Sequence, residues 1–159
     1  MKAFYPATIQ YYLMRLAAAI LALALICGCM ESGLDRCDKM EDRSSRDRCY
    51  ESYAIGVGDP SICAKIYLPE YQDDCYNLVG ATRSNASLCK NIKKPTERDS
   101  CFWGIAKTDA NPALCDEVIS TTYKDLCYWD VASAKNDPSL CNNIKEPVTL
   151  NSCVTHCCG

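Results

Sequence analysis

The sequence has a single histidine, no Cys-x2-Cys pair and no long apolar run, and its first 30 residues contain no acidic side chain. Each absence removes a class of function. One imidazole cannot build a histidine-rich metal centre. No HExxH, GxSxG, P-loop or GxGxxG stretch occurs to mark a metalloprotease, a serine hydrolase or a nucleotide site. Without Cys-x2-Cys the common structural zinc spacing, the thioredoxin-type redox motif and the haem-attachment motif are all missing. The longest aliphatic run, Leu16–Ile26, has 11 residues, well below the roughly 20 needed to cross a bilayer as a helix. Beyond Cys29 stand 15 basic and 20 acidic residues, a net charge of −5. That balance argues against nucleic acid as a partner and against an electrostatic grip on anionic lipid. The expectation is a protein without catalysis and without a cofactor.

Against this stands an excess of cysteine, 14 in 159 residues. Such density in a short chain reads as a disulfide scaffold, and disulfides persist only in oxidising compartments. The N-terminus points the same way. Lys2 and Arg15 give a positive opening, Leu16–Ile26 has the length of a signal-peptide core, and Ile26-Cys27-Gly28-Cys29 follows. This tetrapeptide resembles the prokaryotic lipobox. The resemblance implies that residues 1–28 are a lipoprotein signal peptide and that Cys29 is the diacylglyceryl acceptor. Cleavage would leave it as the first mature residue, with residues 29–32 a short linker. An ordinary cleaved signal or an uncleaved anchor would also leave the following domain on the extracytoplasmic side.

Ten cysteines, at 37, 49, 63, 75, 89, 101, 115, 127, 141 and 153, alternate in gaps of 12 and 14. The result is a 26-residue period repeated five times, the mark of stacked supersecondary units. The units run 33–58, 59–84, 85–110, 111–136 and 137–159. Their first halves read Asp59-Pro-Ser-Ile-Cys63, Asn85-Ala-Ser-Leu-Cys89, Asn111-Pro-Ala-Leu-Cys115 and Asp137-Pro-Ser-Leu-Cys141. Asp or Asn is an N-cap and Pro is at home at the first helical position, so a helix A of about two turns is expected. Asn85-Ala-Ser87 is also a glycosylation sequon, but its asparagine serves as that cap.

The second halves carry Cys, an aromatic, an aliphatic and a small residue at i, i+1, i+4 and i+5, as in Cys101-Phe102-Trp103-Gly104-Ile105-Ala106. This spacing puts one apolar stripe on a helix B of about 11 residues. Asp47, Asp73, Asp99 and Asp125 stand two places before the second cysteine. They are expected in the first turn of helix B, favouring its dipole, with Thr96 and Asp99 as a capping box. Pro69, Pro95 and Pro147 punctuate the A–B loop. The fold class that follows is all-α: a solenoid-like stack of five disulfide-stapled hairpins, similar in architecture to tetratricopeptide and Sel1-like repeats but shorter and without their motifs.

Ten cysteines allow many connectivities. The phase of the repeat favours pairing within units, Cys37–Cys49, Cys63–Cys75, Cys89–Cys101, Cys115–Cys127 and Cys141–Cys153. In that register both cysteines lie about one turn from the A–B loop, where antiparallel helices converge. Pairing between units, such as Cys101–Cys115, would strand Cys37 and Cys153.

Three features could carry recognition or chemistry. The column Tyr50, Tyr76, Phe102 and Tyr128 reads as core, whereas Trp103 and Trp129, one position further round the helix, should be partly exposed and could form a binding surface. At the C-terminus His156, Cys157 and Cys158 could hold zinc or copper or take part in redox chemistry. Yet Cys157 and Cys158 fall in core-facing columns, where cysteine acts as a small hydrophobe, and a further local disulfide, or else an intermolecular one, is expected ahead of a metal or a free thiol. The expected role is an envelope lipoprotein, held to the membrane by its lipid, that binds a protein or surface polymer. The alternative is a metal- or redox-handling protein built on His156, Cys157 and Cys158.

Overall fold

A computed structural model of the protein describes residues 33–157. The signal and lipobox with Cys29, and also Cys158, lie outside the described residues. By contacts the chain divides into residues 1–36 and 37–159. Of the first part only residues 33–36 are described, and they open the helical turn Gly33–Asp38.

The second part is all helical among the described residues. Its long helices are α1 (Arg43–Val57), α2 (Pro69–Thr82), α3 (Pro95–Thr108), α4 (Thr121–Lys135) and α5 (Pro147–His156). Each is the B helix of one unit. Helices α2 to α5 each pack on the short segment of their own unit, and α1 to α4 each pack on the short segment of the following unit and on the next long helix. Substantial contacts therefore join only neighbours, as in a solenoid.

The five cysteine pairs are those expected from the repeat phase: 37–49, 63–75, 89–101, 115–127 and 141–153. Their Cα–Cα distances lie between 5.4 and 5.8 Å, within the normal bridging range. Nine of these ten cysteines are among the fully buried core residues, which also include Ile66, Val79, Ile92, Ile105, Val118 and Val131. On the chain-entropy account each closed loop of this length contributes about 3 kcal/mol.

Helix A departs from expectation. In units two, three and five it is a 3-10 turn, Cys63–Lys65, Ala86–Asn91 and Pro138–Asn143, and in unit four a single α turn, Ala113–Asp116. The N-caps are as expected: Asp59, Asn85, Asn111 and Asp137 accept the backbone N–H of Ser61, Ser87, Ala113 and Ser139. The segment then stops early because the chain turns extended at Ile66, Ile92 and Ile144. Helix B is correspondingly longer, 14 residues in α2 and α3 and 15 in α1 and α4. Pro69, Pro95 and Pro147 belong to these helices, near their N-termini, rather than to the loop.

What makes the chain extend is the recurring aspartate, and here the sequence reading is corrected. Asp47, Asp73, Asp99 and Asp125 are buried, with 1–4% exposure, and each is the fifth residue of its helix. Each reaches across to the next unit and accepts two successive backbone N–H groups just before its long helix. Asp73 takes Lys93 and Lys94 at 2.9 Å each. Asp99 takes Ile119 and Ser120 at 3.0 and 2.8 Å, and Asp125 takes Lys145 and Glu146 at 3.1 and 2.9 Å. Asp47 takes Tyr67 and Leu68, but with one oxygen, and its Oδ1 is buried without a partner. The carboxylate thus caps the following unit's helix instead of its own. The residue before a proline favours extended backbone on steric grounds. Proline is not the decisive factor, however: Ser120 precedes Thr121 and still has ψ 124°. The Thr96–Asp99 capping box does not form, for the N-cap of α3 is Lys94, which makes no side-chain cap bond, and Asp99 is engaged elsewhere.

The first four long helices end alike. Gly58, Ser84, Ala110 and Asn136, spaced 26 apart, all have positive φ, at 69°, 49°, 49° and 51°. The next residue's N–H returns to the helix: Asp59 to Ala54, Asn85 to Gly80, Asn111 to Ala106 and Asp137 to Ala132. These are Schellman closures, and only Gly58 adopts the left-handed conformation without steric penalty.

Candidate functional site

The most unusual chemistry gathers at the fifth unit. Cys153 and Cys157 stand one turn apart, so their side chains lie on one face. The Sγ of Cys157 is 3.8 Å from that of Cys141, and the three sulfurs lie within 4.8 Å of one another. Cys141 and Cys153 are wholly buried and already bonded to each other. Cys157 is half-buried, packs on the cluster around Val131 and Ile144, and is itself held in a disulfide. Its column is the one occupied by Val79, Ile105 and Val131, which are all buried.

His156 stands apart from that sulfur cluster. Its Nδ1 lies 2.6 Å from Thr155 Oγ1 and 3.1 Å from the carbonyl of Ser152. Cys158 falls outside the described residues. The metal donors proposed from sequence are therefore not assembled among the described residues, and all three clustered sulfurs are held in disulfides. A metal would need them as thiolates.

Trp103 and Trp129 are half-buried and pack on the core shared by units four and five. Trp103 spans two units: its Nε1 donates to Asp130 Oδ2 at 2.9 Å, and its ring lies 5.8 Å from that of Tyr123. Lys107 joins the same carboxylate at 3.1 Å. One edge of the indole is thus fixed and the rest offers a rigid aromatic surface. Separately, Lys90, Arg98, Phe102, Asp116, Glu117 and Ile119 line a shallow cleft of about 390 Å³ between units three and four. Lys90 and Glu117 face each other there at 3.7 Å.

The aromatic column is mainly core, with Tyr50, Phe102 and Tyr128 at 2–6% exposure. Tyr128 donates to Asp116 Oδ1 at 2.7 Å, and Tyr50 donates to Asp38 in the same register. Burial, reinforced by the Asp116 carboxylate, pushes the Tyr128 phenol up to about 12. Where unit three has Phe102, the residue after its first cysteine is Lys90, so no acceptor is needed. This pairing was visible in the sequence as Asp recurring twelve residues before Tyr.

The features define an all-α, disulfide-stapled helical-repeat protein of an oxidising, extracytoplasmic environment. No family model, curated protein or solved structure matches the chain. Among the described residues no helix is long and apolar enough to cross a membrane.

Proposed function

We propose that the protein is a lipid-anchored envelope module that presents a rigid repeat surface to a protein or cell-surface polymer. The observation that carries this reading is the double fixing of every unit. A disulfide closes each hairpin, and a buried aspartate ties it to the next. Such preorganisation lowers the ordering cost of binding along an extended surface. The half-buried indoles of Trp103 and Trp129 supply the kind of rigid aromatic contact that dominates recognition. Anchoring rests on the signal sequence and on Cys29 within Ile26-Cys27-Gly28-Cys29. A single acylated residue places the array at a membrane surface without a spanning helix.

The test has two arms. Mass analysis of the N-terminal peptide from the membrane fraction should find a diacylglyceryl group on Cys29, and Cys29→Ser should abolish it. An unmodified Cys29 in the mature protein would remove the anchor from the proposal. Chemical crosslinking on intact cells should give a defined adduct that Trp103→Ala and Trp129→Ala weaken. An adduct pattern indifferent to both substitutions would remove the tryptophans.

A further inference from the structure

The cap Asn85-Ala86-Ser87 departs from its counterparts in a way that capping does not require. The others read Asp59-Pro60-Ser61, Asn111-Pro112-Ala113 and Asp137-Pro138-Ser139. Each breaks the N-x-Ser/Thr acceptor sequence, which needs asparagine, a hydroxyl two places on and no proline between. Only unit three combines asparagine, a residue other than proline, and serine, and the chain holds no other such sequence. Local stability does not account for the change. Asp137 accepts the N–H and O–H of Ser139 at 3.1 and 2.6 Å, and Asn85 accepts those of Ser87 at 3.2 and 2.6 Å. Proline is preorganised for the first helical position, and unit three gives it up. We infer that Asn85 is an N-glycosylation site, with the glycan carried on its side-chain nitrogen. This goes beyond the binding role proposed above and needs only the extracytoplasmic placement of the array.

The cap and the glycan use different atoms. Oδ1 of Asn85 takes both bonds from Ser87, its backbone N–H donates to Gly80, and its carbonyl accepts Leu88 N–H. Among the described residues Nδ2 has no hydrogen-bond partner, and both Asn85 and Ser87 are exposed. A glycosylated amide keeps its oxygen, so the cap survives the modification. An enzyme can also reach the segment. Residues 76–88 lie between the loops closed by Cys63–Cys75 and Cys89–Cys101 and inside neither. The bonds made by Asn85 itself all fall within residues 80–88, so the segment can extend into a transferase without opening a staple. The donor is a sugar chain held on a lipid-linked phosphate. A bond forms between Nδ2 and the anomeric carbon, and the bond from that carbon to the phosphate oxygen breaks. The phosphate leaves with the electron pair, and one Nδ2 proton is released to it. Nothing is oxidised or reduced. The bulky, hydrated product projects from the turn between α2 and the short segment Ala86–Asn91.

The experiment is tryptic mapping, without reduction, of the full-length protein from the membrane fraction of its native cells. Cleavage after Arg83, Lys90, Arg98 and Lys107 releases residues 84–90 joined to 99–107 by Cys89–Cys101. That link certifies that the molecule has passed into an oxidising compartment. The expected result is a linked pair heavier by a glycan, with sugar fragment ions and the added mass on Asn85. Asn85→Asp keeps the cap found at Asp59 and Asp137 but removes the acceptor nitrogen, so the added mass should vanish with thermal stability of the deglycosylated fold unchanged. Ser87→Ala should also abolish it, and Ser87→Thr should retain it. A linked pair found only at its unmodified mass would overturn the inference alone. An unlinked, unmodified pair would overturn it together with the extracytoplasmic placement. An added mass that persists in Asn85→Asp would place the modification on another residue and overturn it as well.

Discussion

Replacing Asp99 with alanine removes one clamp between the third and fourth units while leaving every disulfide in place. Asp99 is 2% exposed and accepts Ile119 N–H at 3.0 Å and Ser120 N–H at 2.8 Å. Hydrogen bonds to a charged group contribute about 1.5–3 kcal/mol each, and the donors left behind lose a partner in a partly buried seam. Some of that loss returns when water enters the vacated space. A net destabilisation of about 2–4 kcal/mol is expected. Asp99→Asn keeps one acceptor oxygen but turns an amide toward an N–H, so it should fall between wild type and Asp99→Ala. Asp47→Ala is the internal control. Its carboxylate uses one oxygen for both bonds and buries the other unpaired, so its removal should cost less. Urea unfolding with disulfides intact gives the global figure. Amide exchange gives the local one: Ile119 and Ser120 should exchange at least about tenfold faster in Asp99→Ala, in proportion to the lost bonds. Tyr67 and Leu68 should be unaffected. A loss below about 1 kcal/mol with unchanged exchange would refute the clamp as a stabilising device.

Other consequences follow from the helix ends and the titrating groups. Ala110→Gly relieves a left-handed alanine at φ 49° and should stabilise by about 0.5–1 kcal/mol in thermal unfolding. Gly58→Ala should destabilise, because the new Cβ would meet the Arg83 guanidinium and break its bond to the Val57 carbonyl. In an alkaline titration followed by tyrosinate absorbance, Tyr128 should ionise late, near 12. Because its folded value is raised, its stabilisation is complete below the ordinary value of 10 and is lost as pH rises from 10 to about 12. Asp42, Asp59, Asp137 and Glu146 behave in the opposite sense. Hydrogen bonds from Ser45, Ser61, Ser139 and Thr149 hold them below the usual carboxylate range. Their stabilisation is present above about 4 and is lost as pH falls through the folded values.

The period and phase of the cysteines were enough to read the five hairpins and their pairing, because antiparallel geometry restricts which positions can approach. The caps at Asp59, Asn85, Asn111 and Asp137 were legible for the same local reason: partner and acceptor are two residues apart. The clamps were not. Asp99 and its partners are 20 and 21 residues apart, in different units, and a carboxylate near a helix start has a simpler local use. That long-range bond also explains the misjudged length of helix A, since donating two N–H groups backward forces the chain to extend. The one sequence hint was the strict choice of Asp over Glu in four units, followed by exposed Asn151 in the fifth. The left-handed closures were hidden similarly, because Ser84 and Ala110 carry no compositional sign of positive φ. At the C-terminus the core-facing column of Cys157 was read correctly, whereas its approach to Cys141 depends on how α5 sits against the preceding turn.

The account rests most directly on intra-unit stapling, and non-reducing proteolytic mapping of the oxidised protein tests it. The expected linked peptides join Cys37 to Cys49, Cys63 to Cys75, Cys89 to Cys101, Cys115 to Cys127 and Cys141 to Cys153. A peptide joining Cys49 to Cys63, or Cys101 to Cys115, would contradict it.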